Sequence, residues 1–402
     1  MVAPVFLYHV VGDLTLGKPE LVEFHETETV EAAIRAIGEC NEGALTVWRK
    51  QPGDGPRAAR FVGLLNSLDV VVFMAARVGD TDRALRTPVS EVVVPNSSLL
   101  KEVDPGTRLI DALEMMKQGV RRLLVRKSVA WKGMSKRFSI LYHGKWLKNP
   151  DPSASALSGN SSSQPSPSSF RDSRKFCCLS REDVVRFLIG CLGALAPLPL
   201  SSITELRAIT PHYTYIDASS PALEAVKKPP QDPCAIAVVV TNSDGTCKII
   251  GEISAYKLWK CDYLAAAWAM ANFSAGQFVM GFEDNIIRPV PDFSATSPVE
   301  DGGIGGTSRP RKFSSRSIGF FSNQTSPLAV RGLSMYRGRS APLMCKNISS
   351  LAAVMAQMLS HRATHVWVTQ ADSDDILVGV VSYVDVLQAV TKNPVGPVPS
   401  FP

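Results

Sequence analysis

Ser382 and Asp385 stand three residues apart in the stretch LVGVVSYVDVLQAV, which begins at Leu377. An apolar run containing Gly379 leads into the pair, and apolar residues at helical spacing follow it. Two chemistries fit a hydroxyl and a carboxylate placed this way. One is a helix cap: the serine oxygen takes a free backbone N–H, and the acid suits the positive end of the helix dipole. The other is a grip on a nucleotide, through its ribose and phosphate. The residue types alone leave both open.

Three relatives of this turn occur upstream. RFVGLLNSLDVVVFM supplies Gly63, Asn66 and Asp69. KFCCLSREDVVRFLI supplies Ser180 and Asp183, with Cys177 in the glycine place. KIIGEISAYKLWK supplies Gly251 and Ser254, with Lys257 in the aspartate place. Each turn needs a strand before it and a helix after it. Each also has an upstream half, an amphipathic helix followed by a β-rich run. Val30, Ala33, Ile34 and Ile37 share a helical face ahead of the run 44–48, as Leu109, Ile110, Leu113 and Met116 do ahead of 123–125. A shorter helix precedes 235–240, and Leu351, Val354, Met355 and Met358 precede 366–368. The unit is helix, strand, strand, helix, and its repetition predicts an α/β (α+β) fold of four units, over 12–78, 88–194, 200–285 and 341–393. A unit this small has a marginal core and is expected to pair with a neighbour.

These G-h-h-[ST]-x-x-D turns resemble those of the cystathionine-β-synthase (CBS) domain family, whose units come in tandem pairs. Four in a row resemble the γ regulatory subunit of AMP-activated and sucrose-non-fermenting protein kinases, a pseudo-symmetric disc of two pairs. The start LTLGKPELVEF and the basic SMYRGRSAP segment are similar to plant CBS-domain-only (CBSX-type) proteins. The resemblance implies a non-enzymatic regulator. Its paired units would bind an adenosine nucleotide (AMP, ADP or ATP) in their clefts and alter a protein partner such as a kinase complex. In that scheme the aspartate holds the ribose, because a carboxylate accepts both hydrogens of a cis-diol. The hydroxyl and the free N–H groups of a helix start suit phosphate, and the glycine admits a ligand closely.

The fourth copy is the most complete under that scheme. It offers Ser382 and Asp385, with Arg362 and His365 in the preceding HRATHVWV, beside His361, as basic partners for phosphate. The second offers Ser180 and Asp183, with Arg121 and Arg122 ahead of its first strand, although Cys177 adds bulk. The first offers Asn66 and Asp69, without a basic residue at its strand start. In the third, Lys257 cannot accept from a ribose, so that contact is expected to be lost.

The composition narrows the classes further. The 402 residues are 45% hydrophobic and 20% charged, an ordinary globular balance. The net charge of +6 belongs to one segment: 302–346 holds eight Lys and Arg and no acid, and the chain without it stands at −2. Residues 149–175, with ten serines, and 291–340 read as disordered linkers. The eight cysteines contain no CxxC and, with six histidines, no zinc-type spacing. That predicts reduced thiols in a cytoplasmic or nuclear protein, with no metal and no cofactor. No nucleophile elbow or phosphate loop occurs, so no catalytic residue is expected. The uncharged run 263–282 is Ala-rich and broken by polar residues, which predicts a buried helix rather than a membrane span. Arg337, Ser340 and Pro342 are spaced as a basophilic kinase and then a 14-3-3-type reader would need. The alternative to ligand sensing is thus a ligand-independent scaffold controlled by phosphorylation. No nucleic-acid reader is expected, and pairing of two discs into a homodimer is left open.

Overall fold

The computed structural model describes residues 5–40, 42–50, 59–127, 141–142, 145–146, 176–227, 232–281, 341–372 and 376–391. The linkers expected at 149–175 and 291–340, and Ser340 with them, lie outside the described residues. Two short helices, α1 (Val5–Tyr8) and α2 (Val11–Leu14), open the chain. Unit 1 follows with β1 (Phe24–His25), α3 (Val30–Glu39), β2 (Ala44–Lys50), β3 (Ala59–Asn66) and α4 (Ser67–Ala75). After α5 (Thr81–Arg86), unit 2 contains β4 (Leu100–Val103), α6 (Leu109–Lys117) and β5 (Arg122–Arg126). A small hairpin of β6 (Leu141–Tyr142) and β7 (Lys145–Trp146) intervenes before β8 (Phe176–Ser180) and α7 (Arg181–Gly190). Unit 3 has β9 (Tyr215–Asp217), a 3-10 turn at Ala222–Lys227, β10 (Ala235–Thr241), β11 (Cys247–Ser254) and α8 (Ala255–Leu258), then α9 (Tyr263–Asn272) and α10 (Ala275–Met280). Unit 4 has β12 (Met344–Lys346), α11 (Leu351–His361), β13 (His365–Thr369), β14 (Leu377–Ser382) and α12 (Tyr383–Thr391).

Every unit carries one element that the helix-strand-strand-helix reading lacked. A strand of two to four residues lies parallel to the first long strand, as β1 on β2, β4 on β5, β9 on β10 and β12 on β13. Such short pieces hold no alternation to read. The two long strands of each unit form an antiparallel ladder in one shared register. The residue opening the first strand faces the cap residue ending the second: Ala44 with Asn66, Arg122 with Ser180, Ala235 with Ser254, His365 with Ser382. The glycine position lies three residues further in, and a bulge follows at Gly63, Gly251 and Gly379. Unit 2, with Cys177 there, keeps a regular ladder. Glycine tolerates the kink that a bulge imposes, whereas a side chain favours continued pairing.

The apolar helix faces read from the sequence form the core. Val30, Ala33 and Ile37 are buried, as are Leu109, Leu113 and Met116, and Leu351, Val354, Met355 and Met358. Each buried Val, Leu, Ile or Met side chain among them contributes on the order of 1.5–3 kcal/mol. Units 1 and 2 meet sheet to sheet through Trp48, Phe61 and Leu124; units 3 and 4 do so through Ala237, Val239, Trp367 and Val380. These are the tandem pairs. The helices then pack across the pairs: α4 lies on α9, joining units 1 and 3, and α6 and α7 lie on α11 and α12, joining units 2 and 4. The four units thereby close into a ring of contacts. Within the run expected at 263–282, residues 263–280 form two partly buried helices rather than one, because Ser274 caps α10 with Gln277 and ends α9 before it. Among the described residues, no helix is long and apolar enough to cross a membrane.

Candidate functional site

Two of the four turns are reciprocal caps, and in a third the aspartate caps the turn from its own side. Asn66 accepts from the N–H groups of Leu68 and Asp69, and Asp69 accepts from the Asn66 N–H at 3.0 Å. Asp183 Oδ2 accepts from the N–H and the hydroxyl of Ser180 at 2.7 and 2.8 Å. Asp385 Oδ2 accepts the same two groups of Ser382 at 2.7 and 2.6 Å. In unit 4 the cap leaves the second oxygen of Asp385 to face the cleft, so cap and ligand contact are compatible on that side chain. Unit 3 has lost the arrangement. The Ser254 hydroxyl is buried without a partner, and α8 runs only four residues. Lys257 turns instead to the Ala341 carbonyl at 2.7 Å.

What passes beside each turn is a segment of the tandem partner, just ahead of that partner's short strand. Thr210, ahead of β9, exchanges backbone hydrogen bonds with Val380 of unit 4. Asn96, ahead of β4, donates to the Val62 carbonyl of unit 1, and Leu21, ahead of β1, donates to the Phe176 carbonyl of unit 2. These crossings explain two glycines. A Cβ on Gly63 would sit 2.6 Å from the Val94 carbonyl oxygen, and one on Gly379 would sit 2.7 Å from that of Thr210. The close visitor expected at these glycines is the chain's own backbone.

The turn of unit 4 opens on a cavity of 420 Å³. Ser382 and Asp385 line it, with Val380 and Trp367 from the same unit. Thr210, His212, Tyr213 and Asp232 come from unit 3, and Lys117 and Arg181 from unit 2. Asp385 Oδ1 faces the partner segment and accepts from the Thr210 hydroxyl at 2.7 Å. Arg181, 5% exposed, is bonded to Asp232 and donates to the Met116 carbonyl at 2.7 Å. Lys117 is held by Glu114 at 2.7 Å. The cavity therefore has an aromatic and aliphatic wall, a capped carboxylate and cationic groups, within the size range of small-molecule sites. Thr210, His212, Lys117 and Arg181 were not anticipated from the sequence. Only their unit's register relative to the others would have pointed to them.

The basic residues expected at this site stand elsewhere. Arg362 takes the left-handed conformation that ends α11, and its guanidinium lies over the Trp259 ring at 5.7 Å. His365 is fully buried and contacts Glu252 at 2.8 Å. Glu252 also accepts from Tyr256 at 2.6 Å and from the Trp367 indole at 3.1 Å. Burial pushes the Glu252 carboxyl up, but His365, Tyr256 and Lys257 outweigh it and hold the group below its usual range. His365 is therefore a strut between units 3 and 4. His361, exposed on α11, faces its own helix, contacting the Gln357 carbonyl at 3.0 Å. No cluster of three metal-type ligands occurs among the described residues.

The unit 2 cleft is filled from within. Lys18, 5% exposed, contacts Asp183 directly, donates to the Cys178 carbonyl at 2.6 Å and pairs with Glu42 at 3.2 Å. Arg122 pairs with the other Glu42 oxygen at 3.0 Å and donates to the Ala44 carbonyl at 3.0 Å. Arg121 lies 3.5 Å from Asp232. In the unit 1 cleft, burial pushes the Asp69 carboxyl up to about 6, against the Asn66 N–H and the more distant Arg121.

Comparison with known proteins accords with this geometry. The CBS domain model matches residues 339–392, which contain the Ser382–Asp385 turn. The chain is 64% identical to CBS domain-containing protein CBSX6 of Arabidopsis thaliana, over 99% of this chain and 97% of that protein. It is 28% identical to CBSX5 of the same plant, over 95% and 96%. Over 53% of its length it is 23% identical to the Arabidopsis SNF1-related protein kinase regulatory subunit gamma-like PV42b, covering 56% of that protein. In fold it is similar to protein MJ1225 of Methanocaldococcus jannaschii, with a TM-score of 0.51, 12% identity and coverage of 94% of this chain and 99% of that one. Four repeated turns, paired sheets and full-length identity lead to one conclusion: the chain belongs to the CBS-domain-only proteins of plants.

Proposed function

We propose that this protein is a non-catalytic regulator that binds an adenosine nucleotide in the unit 4 cavity and passes its occupancy to a protein partner of the kinase-complex type. One observation carries the reading. Asp385 presents to the cavity an oxygen held there by a neutral Thr210 hydroxyl, a donor that a ribose hydroxyl can replace. The wall of Trp367, Tyr213 and Pro233 offers a face for a purine, and Lys117, Arg181 and His212 offer nitrogen donors to phosphate. The cavity draws on units 2, 3 and 4, so an occupant touches both tandem pairs at once. That position suits a signal carried by their relative packing. The likeness to a kinase regulatory subunit supports the choice of partner class.

Calorimetry of the purified chain with AMP, ADP and ATP tests the proposal. Binding is expected with at least one of the three. Asp385→Ala should weaken it tenfold or more, a loss of about 1.4 kcal/mol or greater. A folded chain that gives no heat with any of them at millimolar concentration would sink the reading and favour the phosphorylation-controlled scaffold.

A further inference from the structure

The clefts of units 2 and 4 are equivalent by register, yet they are finished differently. In unit 4 the crossing segment brings a neutral threonine to the aspartate; in unit 2 it brings an ammonium. Lys18 comes from the stretch between α2 and β1 and is nearly as buried as the core around it. Its three contacts are Asp183, the Cys178 carbonyl and Glu42. Arg122 completes the set from the strand opening, directly opposite Ser180. Two cations and two carboxylates therefore balance inside the cleft. A phosphate entering here would meet Glu42, and a ribose would meet an aspartate already engaged by a charged donor.

We infer that Lys18 is a tethered occupant of the unit 2 cleft: the chain supplies its own cation where a nucleotide's ribose would bind, which closes this cleft and leaves the unit 4 cavity to respond to ligand. The inference rests on reading the Ser-x-x-Asp turn as a ribose grip. It assigns the N-terminal segment a role as a permanent strap across the first tandem pair. Burial alone would lower the Lys18 ammonium, but Asp183 and Glu42 outweigh it and hold it above the ordinary lysine value, so the strap stays charged throughout the neutral range.

The test is nucleotide uptake by the full chain carrying Asp385→Ala, measured at nucleotide concentrations too low to fill the weakened unit 4 cavity. With native Lys18, no uptake of ATP or AMP is expected. With Lys18→Met and Glu42→Gln together, which keep the side-chain bulk and remove the opposing charge, one equivalent should bind and should be lost again on adding Asp183→Ala. A folded double variant that binds no more than the native-Lys18 chain overturns the inference. The two readings separate cleanly. A wild type that binds nothing, beside a double variant that binds through Asp183, removes the unit 4 assignment and leaves this one standing. If the double variant fails to fold, acylation of lysines in the wild type gives the answer by peptide mass. Lys18 unlabelled with and without ATP supports the strap; Lys18 labelled only with ATP shows displacement and overturns it.

Discussion

In units 2 and 4 one aspartate does two jobs that the sequence could not separate. In unit 4 one oxygen of Asp385 closes the cap and the other meets the Thr210 hydroxyl. In unit 2 a single oxygen of Asp183 both closes the cap and meets Lys18. In unit 1, Asp69 accepts from the Asn66 N–H, and burial pushes its carboxyl up to about 6. A folded-state value raised above the unfolded one means the native state holds a proton that the unfolded state releases. Stability contributed by Asp69 is therefore present below about pH 4 and is lost as pH rises towards 6. Asp69→Asn keeps the acceptor for Asn66 and removes the titration. Relative to wild type, the variant should gain more stability at pH 7.5 than at pH 4, by up to about 3 kcal/mol. Thermal melts at the two pH values would check this, and equal differences would refute it.

The unit is a β-α-β-β-α element with a kink built into its last strand. Gly379 sits opposite Val368 beside the bulge, and its missing side chain is where the Thr210 backbone passes. Gly379→Ala would place a methyl 2.5 Å from Ile209 Cγ2 and 2.7 Å from the Thr210 oxygen. Destabilisation of about 1–3 kcal/mol is expected from such overpacking. Nucleotide affinity should fall with it, because Thr210 both lines the cavity and holds Asp385. Chemical denaturation and calorimetry on the same variant would show the two losses together. Unit 2 illustrates the converse. With Cys177 at this place the ladder is regular, and the thiol packs into the core shared with unit 4.

Across the whole molecule, each tandem pair is a sheet contact and each cross-pair contact is a helix contact. Val184, Val185 and Leu188 on α7 share a core with Val354, Met355 and Leu387 of unit 4, while Val70 and Met74 on α4 share one with Ala266 and Met270. A chain cut after residue 198 would keep the first pair and uncover both helix faces. Exposed apolar area of that kind drives association. The fragment should self-associate or lose fixed tertiary packing, as light scattering and near-ultraviolet circular dichroism would report. A folded, monomeric fragment would contradict the shared cores.

The sequence by itself determined the units. Helical periodicity, alternating strands and four copies of one turn are local patterns, and local steric and solvation rules suffice to read them. It also identified Lys257 as the copy without a ribose acceptor, since that follows from residue type alone. The short parallel strands escaped because two to four residues carry no period. The lining of the cavity escaped for a different reason. Thr210, Arg181 and Lys117 come from three places in the chain and meet Asp385 only after the ring of units closes. The same closure moved Arg362 and His365 out of the candidate site, one onto Trp259 and the other onto Glu252. It also brought Lys18 to Asp183, 165 residues away. Which aspartate faces a cavity and which faces a buried ammonium depends on burial and distance between units, and only the tertiary structure sets those.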